Sequence, residues 1–372
     1  MQGIAGAEEA LDPQIRAFVA EMKAGFSRYP PFDRLTFAEA RLVAEAVRRP
    51  WREGGPAMAS TDERPIATDA GDVRIRIYRP GLERAGDPAP VLVYLHGGGW
   101  TLFSLDTHDR VMREYAARSG ATVIGVDYAL SPEAKFPRAL EQTIGTIEWL
   151  HARGGELGLD AERLAIGGDS AGGNLAVATA LKLRDGGKGE WIRAMLLNYA
   201  ALDPQCSSRA IEQYGGPAFM LAGEEMRQFW ANYLASAEQA GNPYACPVRA
   251  DLRGLPPAFL TIAECDLLAE QNLVFARLLR KAAVETEAVI YPGATHSFLE
   301  AVAIAIRRCC GDTAPAVQDA SPRLVVRAPR AAPPTAHPTP QPPECPQSTA
   351  ARGRVTSDTR ASGSGRTRCR CR

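Results

Sequence analysis

The chain has 372 residues, 45% of them apolar and 23% charged, enough to bury the core of one large domain and too apolar for a disordered chain. Its 43 basic residues equal its 43 acidic ones, so net charge makes no case for a nucleic acid or an acidic surface as partner. That balance averages two unlike segments: Arg307 to Arg372 hold 12 Arg, no Lys and 4 acidic residues, about +8, against about −8 for residues 1–306.

In chain order, residues 12–50 read as two amphipathic helices. Ile15, Phe18, Val19, Met22 and Phe26 recur at helical spacing, and Pro30-Pro31 breaks the first helix from the second. Thr36 with Glu39 three residues on is a capping-box signature ahead of Leu42, Val43 and Val47. The pair precedes any strand, so residues 1–55 are expected to form a cap over the main sheet. From residue 72 the rhythm changes: Val73, Ile75 and Ile77 alternate with Arg74, Arg76 and Tyr78, the pattern of a half-buried strand. Short apolar runs follow at 91–95, 121–126, 163–166, 194–199, 257–263 and 286–291, with helical stretches at 137–151, 171–184 and 269–283. Continuous apolar strands alternating with helices predict an α/β fold, a mostly parallel sheet covered on both faces, with function beyond the carboxyl ends of the strands. Residues 205–242 interrupt the alternation with Phe219, Met220, Phe229, Trp230 and Tyr233, and read as a helical insertion into the cap. The catalytic domain is thus expected over 56–306.

After residue 306 the organisation ends. The tail has 10 Pro and 12 Arg, lacks any aromatic residue and finishes as RTRCRCR, so 307–372 is expected to be disordered. Its composition is that of a GC-rich gene read out of frame; an uninterrupted frame preserved in independent isolates would contradict that reading. Cys206, Cys246 and Cys265 are the only cysteines before it, an odd number without framework spacing, and free thiols in a cytoplasmic protein are expected. The N-terminus lacks the apolar core of a signal peptide, and no apolar run reaches the ~18 residues of a membrane span.

The chemistry concentrates in four places. Gly168-Asp169-Ser170-Ala171-Gly172 follows a buried strand and opens a helix, the context of a nucleophile elbow with Ser170 on a tight turn. A serine hydroxyl needs a base. Among five histidines, His296 stands in a short loop after a strand, at the carboxyl edge where it can reach Ser170. The base needs an acid to hold its tautomer. Asp266 lies just past the apolar run 257–263, with Glu264 and Glu270 as nearby competitors. The order Ser, Asp, His is that of the α/β-hydrolases. His96-Gly97-Gly98-Gly99 closes an early strand; the amides of Gly98 and Gly99, with that of Ala171, are assigned to the oxyanion, and His96 to bracing the loop.

Taken together, HGGGW at 96–100, DYALSPEAKFP at 127–137, GDSAGGN at 168–174, DLLAE at 266–270 and HSF at 296–298 resemble the bacterial hormone-sensitive-lipase-like esterases, over about residues 15–306. The resemblance implies the α/β-hydrolase fold with a helical cap, a triad at Ser170, Asp266 and His296, and an oxyanion hole at Gly98, Gly99 and Ala171. Two departures stand out. The family's D-P-L-x-D-E-G is here Asp266-Leu267-Leu268-Ala269-Glu270-Gln271, and the long helix expected after the HSF motif gives way to the Arg- and Pro-rich tail.

The expected reaction is two-step acyl transfer on a small ester, without metal or organic cofactor, since no His/Cys cluster has ligand spacing. Trp100, Phe103 and the cap aromatics predict a compact apolar pocket for short acyl chains, acetyl to hexanoyl. An amidase or N-deacetylase would use the same oxyanion chemistry, and a ligand-binding protein on a hydrolase scaffold would ordinarily lack a triad member. A homodimer is compatible with such a fold.

Overall fold

The computed structural model describes residues 10–81 and 88–301. The tail and its expected disorder lie outside the described residues.

Two helices come first, α1 (Pro13–Phe26) and α2 (Phe37–Arg52). Asp12 caps α1 by accepting the Gln14 amide at 2.8 Å. Thr36 and Glu39 form the reciprocal box at the start of α2, with the Glu39 carboxylate accepting from the Thr36 amide at 2.8 Å. Each such cap is worth about 1 kcal/mol. The sheet is then built from β1 (Ser60–Ile66), β2 (Val73–Arg79), β3 (Ala89–Leu95), β4 (Thr122–Asp127), β5 (Leu159–Asp169), β6 (Ala194–Asn198), β7 (Ala258–Ala263) and β8 (Thr286–Tyr291). Their spatial order is β1-β2-β4-β3-β5-β6-β7-β8; the β1–β2 and β2–β4 pairs are antiparallel and all others parallel. The connecting helices are α3 (Asp109–Ser119), α4 (Arg138–Arg153), α5 (Ala171–Asp185), α6 (Ser208–Tyr214), α7 (Gly223–Tyr233) and α8 (Ala269–Lys281).

The central strands bury both faces, which is why they read as unbroken apolar runs. Val91, Val93 and Leu95 of β3 pack into the core beneath α4, α5 and α8, while Leu92 and Tyr94 enter a second core with Val111, Met112 and Tyr115 of α3. Each fully buried aliphatic side chain contributes about 1.5–3 kcal/mol relative to exposure. A third cluster joins Ile15, Phe18, Val19 and Met22 of α1 and Val43 and Val47 of α2 to Tyr199, Tyr291 and Phe298, so the N-terminal pair sits over the carboxyl ends of β6–β8.

β2 departs from the half-buried reading. Arg76 and Tyr78 are buried with Ile75 and Ile77, because the turn leading into α3 brings carboxylates over them. Arg76 Nη2 donates to Asp106 at 2.5 Å, and the Tyr78 hydroxyl donates to Asp109 at 2.8 Å. Among the described residues Cys206, Cys246 and Cys265 are free thiols, and burial pushes the Cys246 thiol up to about 12. No helix among the described residues is long and apolar enough to cross a membrane.

Candidate active site

The site forms where β5 ends and α5 begins. Ser170 occupies the junction with φ 52° and ψ −116°, a left-handed conformation that a non-glycine residue adopts only at a cost of about 1–3 kcal/mol. Two strong backbone bonds hold it there: its amide donates to the Asn198 carbonyl at 2.9 Å, and its carbonyl accepts the Ala201 amide at 3.0 Å. Gly172 makes the turn tight enough, since a Cβ at that position would fall onto the Leu95 carbonyl oxygen. The strained serine thereby presents its hydroxyl at the N-terminal end of the 15-residue helix α5, where unpaired amides and the helix dipole favour negative charge.

Two further loops complete the arrangement. His296 follows β8, and its Nε2 lies 3.0 Å from Ser170 Oγ. Its Nδ1 lies 2.8 Å from Asp266 Oδ2, on the loop after β7. The second oxygen of Asp266 accepts the Leu268 amide at 2.9 Å, which fixes the carboxylate plane. Thr295 Oγ1 donates to the Cys265 carbonyl at 2.9 Å and ties the two loops together. Tyr199 sets its ring edge-on to the imidazole, with centroids 5.0 Å apart. Serine, histidine and aspartate are all buried. The two competing acids are engaged elsewhere: Glu264 accepts the Gly293 amide at 2.9 Å, and Glu270 accepts from the Ser207 hydroxyl. Gln271, where the resemblance leads one to expect an acid, accepts the Leu202 and Asp203 amides at 2.6 and 2.9 Å and so braces the chain after β6.

The glycine turn after β3 faces Ser170. Gly98 and Gly99 take φ of 109° and 59°. Among the described residues the amides of Gly98, Gly99 and Ala171 have no hydrogen-bond acceptor of their own. His96 lies behind this turn. Its ring stacks on Tyr128 at 4.4 Å, and the Tyr128 hydroxyl donates to the His96 carbonyl at 2.7 Å. Burial, with the His108 ring nearby, pulls the His96 imidazole down to about 4, so it stays neutral near pH 7.

A cavity of about 470 Å³ opens above Ser170 and His296. Met22 and Phe26 wall it from α1, Phe32 from the link between α1 and α2, Phe219, Leu221 and Phe229 from residues 205–242, and Leu102 and Phe103 from the turn after β3. Phe103 therefore faces the cavity. Trp100 does not. It is fully buried beside the cavity, its indole stacked on Tyr233 with centroids 4.1 Å apart, because its own left-handed backbone turns the side chain into the core.

Several residues at the site escaped the sequence reading. Asp169 is buried, with Oδ1 accepting the Gly97 amide at 3.0 Å and the Tyr94 hydroxyl at 2.9 Å. Burial alone would raise its carboxyl; the facing His108 and these donors outweigh it and hold Asp169 below the usual carboxylate value. Its place inside the G-x-S-x-G motif was the available signal. Glu225 of α7 borders the cavity, and burial pushes its carboxyl up against the opposing bond from the Ala222 amide. Arg48, from α2, also reaches the cavity wall.

A parallel-strand sheet with a strained serine between a strand and a helix, and a histidine and an acid on the two following loops, defines the α/β-hydrolase class. A family profile described as alpha/beta hydrolase fold matches residues 92–300. An acetyl esterase of Salmonella dublin is 35% identical over 296 residues, covering 78% of this chain and 88% of the relative. Among solved structures, a hyperthermophilic esterase from the archaeon Pyrobaculum calidifontis superposes with TM-score 0.76 at 32% identity, covering 83% of this chain and 98% of that one. An ester-hydrolase from the metagenome of Lake Arreo, complexed with a bipyridine phosphonate derivative, superposes with TM-score 0.77 at 30% identity and the same coverage. The chain belongs to the α/β-hydrolase esterase family and is a serine carboxylesterase.

Proposed function

We propose that the chain hydrolyses short-chain carboxylic esters, acetyl esters foremost, by acyl transfer through Ser170, His296 and Asp266. The observation that carries this reading is the continuous row Ser170 Oγ, His296 Nε2, His296 Nδ1, Asp266 Oδ2, with gaps of 3.0 and 2.8 Å, at the floor of an apolar cavity. With Nδ1 protonated toward the carboxylate, Nε2 carries the lone pair that takes the serine proton as Oγ attacks the ester carbonyl. The oxygen of that carbonyl becomes an alkoxide facing the amides of Gly98, Gly99 and Ala171 and the amino end of α5. His296 then delivers its proton to the departing alcohol, leaving Ser170 acylated. Water, deprotonated by the same imidazole, attacks the acyl-enzyme; the acid departs and Oγ regains its proton.

The cavity volume and its wall of Phe26, Phe103, Phe219 and Phe229 support a compact acyl group, and the acetyl esterase among the relatives supports acetyl. In this reading the two N-terminal helices and the insertion at 205–242 act together as the cap. The test is hydrolysis of p-nitrophenyl acetate, butyrate and laurate, with matched acetamides, by the protein and by Ser170→Ala. Serine-dependent turnover that falls from acetate to laurate is the expected result. A maximum at laurate, or faster cleavage of the amides than of the esters, would overturn the substrate assignment.

A further inference from the structure

A row of buried ionisable groups, unused by the acyl-transfer chemistry, joins the N-terminal cap to the nucleophile turn. Arg48 lies on the inward side of α2, 2% exposed. Its guanidinium pairs with Glu300, stands 4.5 Å over the Phe103 ring, and places Nη2 3.4 Å from Ser297 Oγ. Glu300, 3% exposed, has Oε1 3.6 Å from His108 Nε2. The same nitrogen lies 3.3 Å from Asp169 Oδ2, whose other oxygen holds the Gly97 amide and the Tyr94 hydroxyl. The row therefore touches the neighbour of His296, the neighbour of Ser170, the neighbour of Gly98, and the ring that follows the oxyanion turn.

His108, Asp169 and Glu300 bring three ligand-type atoms within 4.8 Å of one another. They are a poor cation site: the Arg48 guanidinium already neutralises Glu300, and a second cation beside it would be repelled in a low-dielectric interior. Each buried charge is compensated only by its neighbours, so none can shift without exposing another unpaired.

We infer that Arg48 is a positioning residue, which fixes the loop of His296 and the nucleophile turn relative to one another through Glu300, His108 and Asp169. The inference rests on the acyl-transfer reading given above. Without the guanidinium, Glu300 must draw in water or move, and residues 295–300 move with it. His296 then loses its registration on Ser170. A misplacement of about 1 Å at reacting atoms costs on the order of 100-fold in rate, so the loss falls on kcat.

The experiment compares Arg48→Met, Arg48→Lys and the double variant R48M/E300Q with the wild type and Ser170→Ala, using p-nitrophenyl acetate turnover and thermal unfolding. The expected result is a kcat lower by about 10- to 100-fold in Arg48→Met, with KM changed less than about threefold, and partial recovery in Arg48→Lys. The double variant lacks the unpaired carboxylate but also both ion pairs that tie the loop of His296 to Arg48 and His108, so it regains thermal stability without regaining kcat; it carries the test if Arg48→Met does not fold. A folded Arg48→Met, or double variant, with kcat within about twofold of wild type would overturn the inference, as would a loss confined to KM, which marks a cavity wall. If Ser170→Ala itself keeps full turnover, the acyl-transfer reading fails first and takes this inference with it.

Discussion

Replacing Asp266 by asparagine keeps the shape of the buried loop and changes only what one oxygen can do. In the native site Oδ1 accepts the Leu268 amide at 2.9 Å, and Oδ2 faces His296 Nδ1 at 2.8 Å. An asparagine has one carbonyl oxygen for these two neighbours, both of which are donors. If that oxygen stays on the Leu268 amide, the NH₂ group faces Nδ1 and selects the tautomer protonated on Nε2. That tautomer cannot accept the serine proton. If the amide flips, a buried NH₂ meets the Leu268 N–H, which leaves donors without acceptors at about 1–3 kcal/mol. The first arrangement therefore prevails, and kcat should fall by about 10⁴, equivalent to about 5 kcal/mol of lost transition-state stabilisation. KM should change little, because Asp266 lies outside the cavity wall. Steady-state hydrolysis of p-nitrophenyl acetate, with circular dichroism to verify folding, measures it. A folded Asp266→Asn with kcat within tenfold of wild type would refute the tautomer argument.

Three other predictions follow from the same geometry. Gly98→Ala would place a Cβ 2.7 Å from the Phe103 ring at a φ of 109°, so the turn must open and an oxyanion donor move; kcat should drop by about 10²–10³, and an unchanged kcat would remove Gly98 from the oxyanion assignment. Trp100→Ala should cost about 3–5 kcal/mol in denaturant unfolding, since the indole is fully buried on Tyr233; a change below about 1 kcal/mol would contradict its role as core. Stability should also fall in acid. His96, depressed to about 4, stays neutral in the fold while the unfolded chain takes up a proton near pH 6.5, so stability drops between about 6.5 and 4 by up to roughly 3 kcal/mol. Asp169, held below its usual value, adds stability above the carboxylate range that is lost as pH falls through its folded value. Chemical denaturation from pH 7 to pH 4 reads the His96 contribution, and a flat profile there would contradict its burial; the Asp169 contribution is lost only below the usual carboxylate value of about 4.

Strands buried on both faces announce themselves in sequence, and β3 through β7 are legible for that reason. The reciprocal cap at Thr36 and Glu39 likewise needs only local spacing. β1 is not legible: Ser60–Ile66 is almost wholly polar, contains Pro65, and lies at the sheet edge with one neighbour, so no apolar alternation marks it. α3 is hidden differently. Its inward face mixes Val111, Met112 and Tyr115 with Arg110, whose Nη2 donates to the Glu300 carbonyl at 2.6 Å, a partner 190 positions away. The same distance in sequence conceals the row from Arg48 to Asp169. Motif spacing brings the serine, acid and base together on paper because each follows a strand. A buried charge finds its partners only when the fold closes, and Trp100 is misplaced for a related reason: its left-handed backbone is set by the turn and not by its own preference.

Inactivation by diethyl p-nitrophenyl phosphate, followed by intact-mass and peptide-mass measurement, tests the central claim most directly. The phosphoryl group is captured only by a serine that is already activated. One adduct per chain is expected, on the peptide bearing Ser170, formed in step with the loss of ester hydrolysis and absent from His296→Ala. An adduct on another residue, or full inactivation with Ser170 unmodified, would contradict it.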